Sequence, residues 1–230
     1  QNKDAAMTFS IVARCPDTGR FGVAISSSSP AVAARCAFAQ SGIGAVATQN
    51  VTNPALGSAV LRHLAAGRSA KDAVADAMAD ELFPAYRQLL AVDCSGTTGV
   101  HSGENALELW ASAEGIDCVS GGNMLDNKGV PAALIASFET TQGSLGDRLI
   151  AAMKAGLDAG GEAGPVHSAG LLIVDQQSWP YAELRCDWSE NCPITAIAHA
   201  WEVYKRQADD YVTRALNPIA APSYGVPGDE

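Results

Sequence analysis

The run TFSIVARCPDTGRFGVAISSSS, residues 8–29, decides the architecture. From Thr8 to Arg14 polar and apolar side chains alternate, the period-two signature of a strand with two distinct faces. Pro16-Asp17-Thr18-Gly19 supplies turn chemistry, because proline presets φ and glycine admits the left-handed region. Phe21 to Ile25 answers as the returning strand, so the spacing predicts a hairpin over residues 8–28. It ends in a polar row, Ser26 to Ser29.

Working outward, Gly42 to Thr48 reads as a third short strand. Asn53-Pro54 then opens a helix whose Leu56, Val60, Leu61 and Leu64 share one face, and Gly67 closes it. Ser69 with Asp72 caps a second helix that buries Val74, Ala77 and Met78. Arg87 to Val92 and Gly99 to His101 form another hairpin around Cys94-Ser95-Gly96, and Ile116 to Val119 adds a short strand. Helical spacing returns at Leu134 and Phe138, then at Leu145, Leu149, Ile150, Met153 and Leu157. Ser144 with Asp147 starts the second of these helices and Gly160-Gly161 ends it. Ala169 to Val174 and Tyr181 to Cys186 make the last strand pair. A final helix from Pro193 carries Ile194, Ile197, Trp201, Tyr204, Ala208 and Tyr211 on one stripe, which either covers an outer sheet face or forms a homodimer contact.

Helices therefore come in pairs between blocks of antiparallel strands, unlike the strict alternation of a doubly wound fold. The expected fold is α+β, a four-layer α-β-β-α sandwich of two stacked antiparallel sheets. Its expected layout is an N-terminal extension over residues 1–7, a single domain over 8–213 and a poorly ordered tail over 214–230.

Composition narrows the function classes. Hydrophobic residues at 47% and charged residues at 17% have the opposite balance to a disordered chain. Fifteen basic against 25 acidic side chains leave a net charge of −10, which disfavours a phosphate backbone or an anionic membrane surface as partner. No apolar run approaches the ~18 residues a bilayer crossing needs. The six cysteines show no C-x-x-C spacing and read as reduced structural thiols, with Cys186 and Cys192 the only pair close enough to suspect locally. The cytoplasm is the default compartment and the periplasm the alternative. Neither a metal nor a cofactor is implied.

Familiar catalytic motifs are missing: G-x-S-x-G, H-E-x-x-H and the Gly-rich phosphate loops do not occur. The four histidines are far apart in sequence. Three features could carry chemistry. Ser26 to Ser29 could line a pocket with hydroxyls, or simply end a strand. Ser120-Gly121-Gly122-Asn123-Met124-Leu125 offers backbone N–H groups that a ligand can approach closely, with Asn123 as a neutral donor, or is a plain strand-to-helix turn. Thr8 opens the first strand. An N-terminal threonine can use its hydroxyl as nucleophile and its own α-amine, titrating near ~7.7–8.0, as base. Seven residues precede it here.

The series T-F-S-I-V-A-R-x-P-x-T-G-x-x-G-V-A-[IV]-x-S, which starts at Thr8, resembles the domain-of-unknown-function family 1028. So do Gly44-Ala45-Val46-Ala47-Thr48-Gln49, Asn53-Pro54 with Gly57, Gly122 to Leu125, Ser168-Ala169, Pro180-Tyr181 and Leu184-Arg185-Cys186-Asp187. That family is similar to the Ntn (N-terminal nucleophile) hydrolases. The resemblance implies that Thr8 is nucleophile and base, with Met7 at the family's initiator position and Gln1 to Ala6 an extension or remnant. Asn123 with the Gly121-Gly122 backbone would donate to a developing oxyanion, then Gln49 or Asn50. Ser26 and Ser28, on one face of the second strand, would orient the nucleophile. Arg14 and Asp187 are motif positions, Arg14 at an even offset from Thr8 and hence on the same strand face. The expected function is an amidohydrolase that cleaves a small-molecule amide, a non-peptide or peptide-like C–N bond, through an acyl-enzyme on Thr8. The alternative is a non-catalytic small-molecule-binding or oligomeric scaffold of the same fold.

Overall fold

The structure is a computed structural model that describes residues 8–226, so the expected extension Gln1–Met7 and residues 227–230 lie outside the described residues. The chain begins with strands β1 (Thr8–Arg14) and β2 (Phe21–Ser27), a short helix α1 (Val32–Cys36), and strands β3 (Ala37–Gln40) and β4 (Gly44–Asn50). Helices α2 (Ala55–Ala65) and α3 (Ala70–Ala79) follow, then β5 (Arg87–Asp93), β6 (Thr98–Ser102), β7 (Ala111–Gly115) and β8 (Cys118–Asn123). The rest comprises α4 (Val130–Thr140), α5 (Leu145–Asp158), β9 (Ser168–Val174), β10 (Pro180–Cys186), α6 (Pro193–Tyr204) and α7 (Ala208–Leu216).

The strands form two antiparallel sheets, one in the order β10-β9-β2-β1-β8-β7 and one in the order β3-β4-β5-β6. Period-two alternation in β1 builds the layers. Phe9, Ile11 and Ala13 enter the cluster formed with α4, α5 and α6. Val12 turns the other way, into a cluster with Val23, Ala45, Ala47, Leu90, Val92 and Val119 that glues the sheets together. Helices α2 and α3 cover the free face of the four-stranded sheet through Leu56, Val60, Leu61, Leu64, Ala73 and Val74. The expected α-β-β-α sandwich is the observed arrangement.

The expected caps form. Ser144 and Asp147 close a reciprocal capping box on α5, and the Ser69 side chain accepts the Asp72 N–H at the start of α3. Two expectations change. The stripe expected to continue from Pro193 to Tyr211 is broken at residues 205–207 into α6 and α7. On α6, Ile194, Ile197 and Trp201 cover the six-stranded sheet, with Trp201 fully inside and its Nε1 donating to Asp147 Oδ1 at 2.9 Å. Ser120 to Asn123 is not a turn but the body of β8, and Ile116 lies in the turn before it. Cys186 and Cys192 are free thiols, as are the other four. Arg214, near the end of α7, stacks over the Tyr224 ring at 3.8 Å.

Candidate active site at the end of the first strand

Thr8 sits at the first position of β1 and is flanked by Ser27 of β2 and Asn123 of β8. Strand alternation gives Thr8, Ser10 and Val12 one common face, and Ser10 Oγ donates to Gln49 Oε1 of the facing sheet at 2.7 Å. Thr8 therefore lies at one open end of the space between the sheets. It is 5% exposed, and its Oγ1 donates to Ser27 Oγ at 3.2 Å.

A row of hydroxyls leads away from it. Ser27 Oγ pairs with Ser29 Oγ at 2.8 Å and also accepts the Ser29 N–H at 3.1 Å. Arg35 of α1 donates to Ser29 Oγ at 2.5 Å. A guanidinium at the far end of a hydroxyl chain polarises the chain toward itself and favours negative charge near Thr8.

The serine expected to orient Thr8 is displaced by one register step. Ser26 pairs with Phe9, faces the helical layer and donates to Ser168 O at 3.0 Å. Ser28 lies beyond the strand and gives its N–H to Glu162 Oε2 at 3.0 Å. The residue opposite Thr8 is Ser27. A slip of one residue exchanges the two faces of a strand, so Ser26 takes the face opposite to that of the Thr8 hydroxyl.

A buried amide network lies beneath. Gln49 Nε2 donates to Gln88 Oε1 at 2.8 Å, and Gln88 Nε2 donates to Ser102 Oγ at 3.0 Å and to Gly122 O at 3.2 Å. Both ends of the Gln49 amide are thereby used: Oε1 crosses to Ser10 of the six-stranded sheet, while Nε2 stays within its own sheet, whose Gln88 reaches across to Gly122. Asn50 is used as well: Nδ2 donates to Tyr86 O at 2.6 Å and Oδ1 accepts the Leu107 N–H at 3.1 Å. Val51, Phe83, Tyr86 and Leu107, near these bonds in the chain, are exposed apolar side chains. Asn123 differs. Its Nδ2 makes one long bond, 3.4 Å to Gln88 Oε1, and its buried Oδ1 has no partner among the described residues. Gly122 is a ladder residue paired to Phe9 and Ala111, with no room for a side chain: a Cβ there would stand 2.9 Å from Thr8 O. Arg14 is at the opposite end of β1, bound to Asp117 at 2.8 Å and six residues, ~20 Å, from Thr8. Asp187 pairs with Arg185 at 2.9 Å.

Glu162 had no sequence signal. The paired glycines Gly160 (φ 119°) and Gly161 (φ 59°) end α5 in the left-handed region and turn the chain back. Glu162 then bridges Leu125, just past β8, and its carboxyl reaches Ser28, just past β2. It is 5% exposed, and Oε1 has no partner among the described residues. Burial pushes the carboxyl up to about 8, against the hydrogen bonds from Ser28.

Strained backbone surrounds the same strand ends. Asn50 (φ 75°) and Met124 (φ 51°) hold left-handed conformations without being glycine, as does Ala31 (φ 52°) ahead of α1. Such residues cost ~1–3 kcal/mol each and persist where the surroundings fix them. A groove of about 730 Å³ between Phe38, Gln40, Leu172, Trp179 and Glu183 is at the other end of the sandwich, where Val174 pairs with Phe21. No group of three potential metal ligands occurs among the described residues, and no described helix is long and apolar enough to cross a membrane.

The model of a family described as a family of unknown function, DUF1028, matches residues 8–197. A crystal structure of a protein from Silicibacter pomeroyi carrying the same family label aligns with a TM-score of 0.83 at 28% identity, over 89% of both chains. Two Anbu structures also align: a mutant from Hyphomicrobium sp. strain MC1 at TM-score 0.38 and 13% identity, over 89% of this chain and 99% of that one, and an ancestral β-subunit from Yersinia bercovieri at 0.38 and 10%, over 88% and 97%. No curated protein matches the chain.

Proposed function

The chain belongs to the DUF1028 family, and we propose that it is an amidohydrolase whose nucleophile is the hydroxyl of Thr8, freed as an N-terminal residue. The observation that carries this reading is the placement of Thr8. It is the first residue of the central strand, hydrogen-bonded through Oγ1 to Ser27 and opposite an asparagine with an unsatisfied amide oxygen.

Proton traffic needs no histidine. The α-amine takes the hydroxyl proton as Thr8 Oγ1 attacks the amide carbonyl. Negative charge develops on the carbonyl oxygen. The Asn123 side chain, tied only by its 3.4 Å contact, can turn to donate there, and the Ser27–Ser29–Arg35 row keeps the surroundings electropositive. The ammonium returns the proton to the leaving nitrogen as the C–N bond breaks, leaving an ester on Oγ1. Water, deprotonated by the same amine, then releases the acid and regenerates Thr8. The exposed apolar side chains of Val51, Phe83, Tyr86 and Leu107 suit an uncharged substrate flank.

Intact mass and terminal sequencing of the native protein should find Thr8 first. A β-lactone, which acylates such a hydroxyl, should add once to that chain and not to Thr8→Ala. A panel of N-acyl, N-carbamoyl and glutamyl amides should then reveal turnover that Thr8→Ala lowers at least ~1000-fold. Stability should change by less than about 1 kcal/mol, since only one long hydrogen bond is lost. A native chain that keeps Gln1–Met7, or equal labelling of Thr8→Ala, refutes the reading and favours a non-catalytic binding or oligomeric scaffold.

A further inference from the structure

Glu162 is a buried acidic group that the hydrolytic steps above leave unused, and its position is unusual. In an antiparallel strand the N–H and C=O of one residue point to one neighbour, and those of the next residue point to the other. The Ser27 carbonyl accepts the His167 N–H at 2.9 Å, so the main chain of Ser27 faces β9. The main chain of Ser28, one residue on, therefore faces the line of β1. There its N–H donates to Glu162 Oε2 at 3.0 Å. On the other side of β1 the Glu162 backbone bridges Leu125, two residues past the Thr8 partner Asn123. Glu162 thus spans the end of β1 from both flanking strands. Its carboxyl therefore lies beyond the first residue of β1, between the strands that flank Thr8.

One carboxyl oxygen is satisfied there and the other has no partner among the described residues. A carboxylate buried with a spare acceptor is costly unless a donor, best a charged one, completes it. At 5% exposure Glu162 is largely shielded from solvent, which makes a group of the chain itself the natural match. We propose that Glu162 is the built receptor for the α-ammonium of Thr8, which forms when the Met7–Thr8 peptide bond is hydrolysed. The proposal rests on the reading of Thr8 as the mature first residue. Hydrolysis consumes one water: its hydroxyl ends on the Met7 carbonyl carbon and its hydrogen on the Thr8 nitrogen, and the amine so formed takes the proton of the Glu162 carboxyl to become the ammonium. The new ammonium has the donors that Glu162 Oε1 lacks. Pairing converts Glu162 from a protonated acid, with its carboxyl at about 8, into a carboxylate that anchors the nucleophile's backbone, and the proton returns to that carboxylate when the amine acts as base. Glu162 is a positioning residue in this scheme, acting on the substrate only through Thr8.

The test needs no substrate. The full chain and a chain started at Met7, trimmed to Thr8 and verified by intact mass, are each made with Glu162 and with Glu162→Gln. With Glu162, exposing the Thr8 amine should raise the thermal midpoint by about 5 °C at pH 7, the scale of one charge-assisted buried hydrogen bond in a chain of this length. With Glu162→Gln the gain should fall below about 1 °C. Equal gains in both backgrounds overturn the proposal. An Nα-acetylated Thr8 chain supplies a second measurement that does not rely on the variant folding: acetylation should erase the gain, and an unchanged midpoint overturns the receptor role. β-lactone labelling of Thr8 is scored separately. A coupled gain without labelling refutes the nucleophile and keeps Glu162 as receptor; labelling without coupling does the reverse.

Discussion

Before any amine is exposed at Thr8, Glu162 should make the 230-residue chain less stable as pH rises from 5 to 9. The ordinary carboxyl value is 4.5, and burial pushes the folded one to about 8 against the opposing Ser28 hydrogen bonds. Between those two values the folded chain keeps a proton that the unfolded chain has released. Stability is therefore greatest below 4.5 and is lost as pH climbs toward 8, at up to about 1.4 kcal/mol per pH unit. The full window sets a ceiling of about 5 kcal/mol. Relaxation and water entry around an ionised buried carboxylate lower that to about 2–3 kcal/mol. Glu162→Gln has the shape of the protonated acid and no charge, so it should remove this slope while leaving other titrations in place. Urea unfolding of both chains at pH 5, 6.5, 8 and 9 measures the difference, with unchanged m-values confirming that only stability moved. Parallel stability curves for the two chains would refute the reasoning. So would a wild-type curve that rises across the window relative to the variant. In the chain trimmed to Thr8 the slope should shrink, because an adjacent ammonium returns the carboxyl toward its ordinary range.

Asp147 should behave in the opposite sense. Burial pushes it up, but hydrogen bonds from Lys205, Ser144 and Trp201 hold it at about 2, so its contribution is present above the ordinary value of 3.8 and lost as pH falls through 3.8 toward 2. Asp147→Asn should cost about 1–2 kcal/mol at pH 7, after allowance for solvent screening, and little at pH 2, read from urea midpoints. Gly122→Ala places a methyl group 2.6 Å from the Leu125 side chain and 2.9 Å from Thr8 O. It should lower stability by about 1–3 kcal/mol in urea unfolding and slow β-lactone labelling of Thr8, because backbone has to move. Ser27→Ala should slow that labelling roughly 10-fold, whereas Ser26→Ala, on the other strand face, should leave the rate unchanged.

Much of this was legible in the residues. The alternation of Thr8 to Arg14, the turn at Pro16 to Gly19 and the Ser-Asp caps at Ser69 and Ser144 each act over a few residues, and each forms as its chemistry dictates. What failed was register. Four consecutive serines carry no apolar marker to say which of them faces the other sheet, so Ser26 and Ser28 were as good a reading as Ser27. Gly121-Gly122 suggested a turn because glycine usually marks one. Here the reason is close packing: Leu90 stands against Gly121, and Thr8 O and Leu125 stand against Gly122. Glu162 was invisible because its meaning comes from residues more than a hundred positions away, through one hydrogen bond to Ser28. Arg35 was hidden for a related cause, since the short α1 that carries it has no side-chain cap.

The two ends of the inter-sheet layer differ in a way that bears on function. Around Val12, Val23, Leu90 and Val92 the layer is dry and apolar, which needs no further explanation than sheet packing. Around Thr8 it changes to Ser10, Gln49, Gln88 and Asn123, all essentially buried and joined by hydrogen bonds, with one orphan oxygen on Asn123 and another on Glu162. Aliphatic side chains there would pack the sheets more cheaply than amides, whose burial costs a few kcal/mol wherever a partner is missing. Left-handed Asn50 and Met124 add strain at the same end. A fold under selection for stability alone would have no reason to keep polar groups, strain and unsatisfied acceptors together at the end of one strand. Both orphan acceptors adjoin the end of β1 that begins with Thr8, so the arrangement is accounted for if the missing donors are the amine of Thr8 and the amide of its substrate.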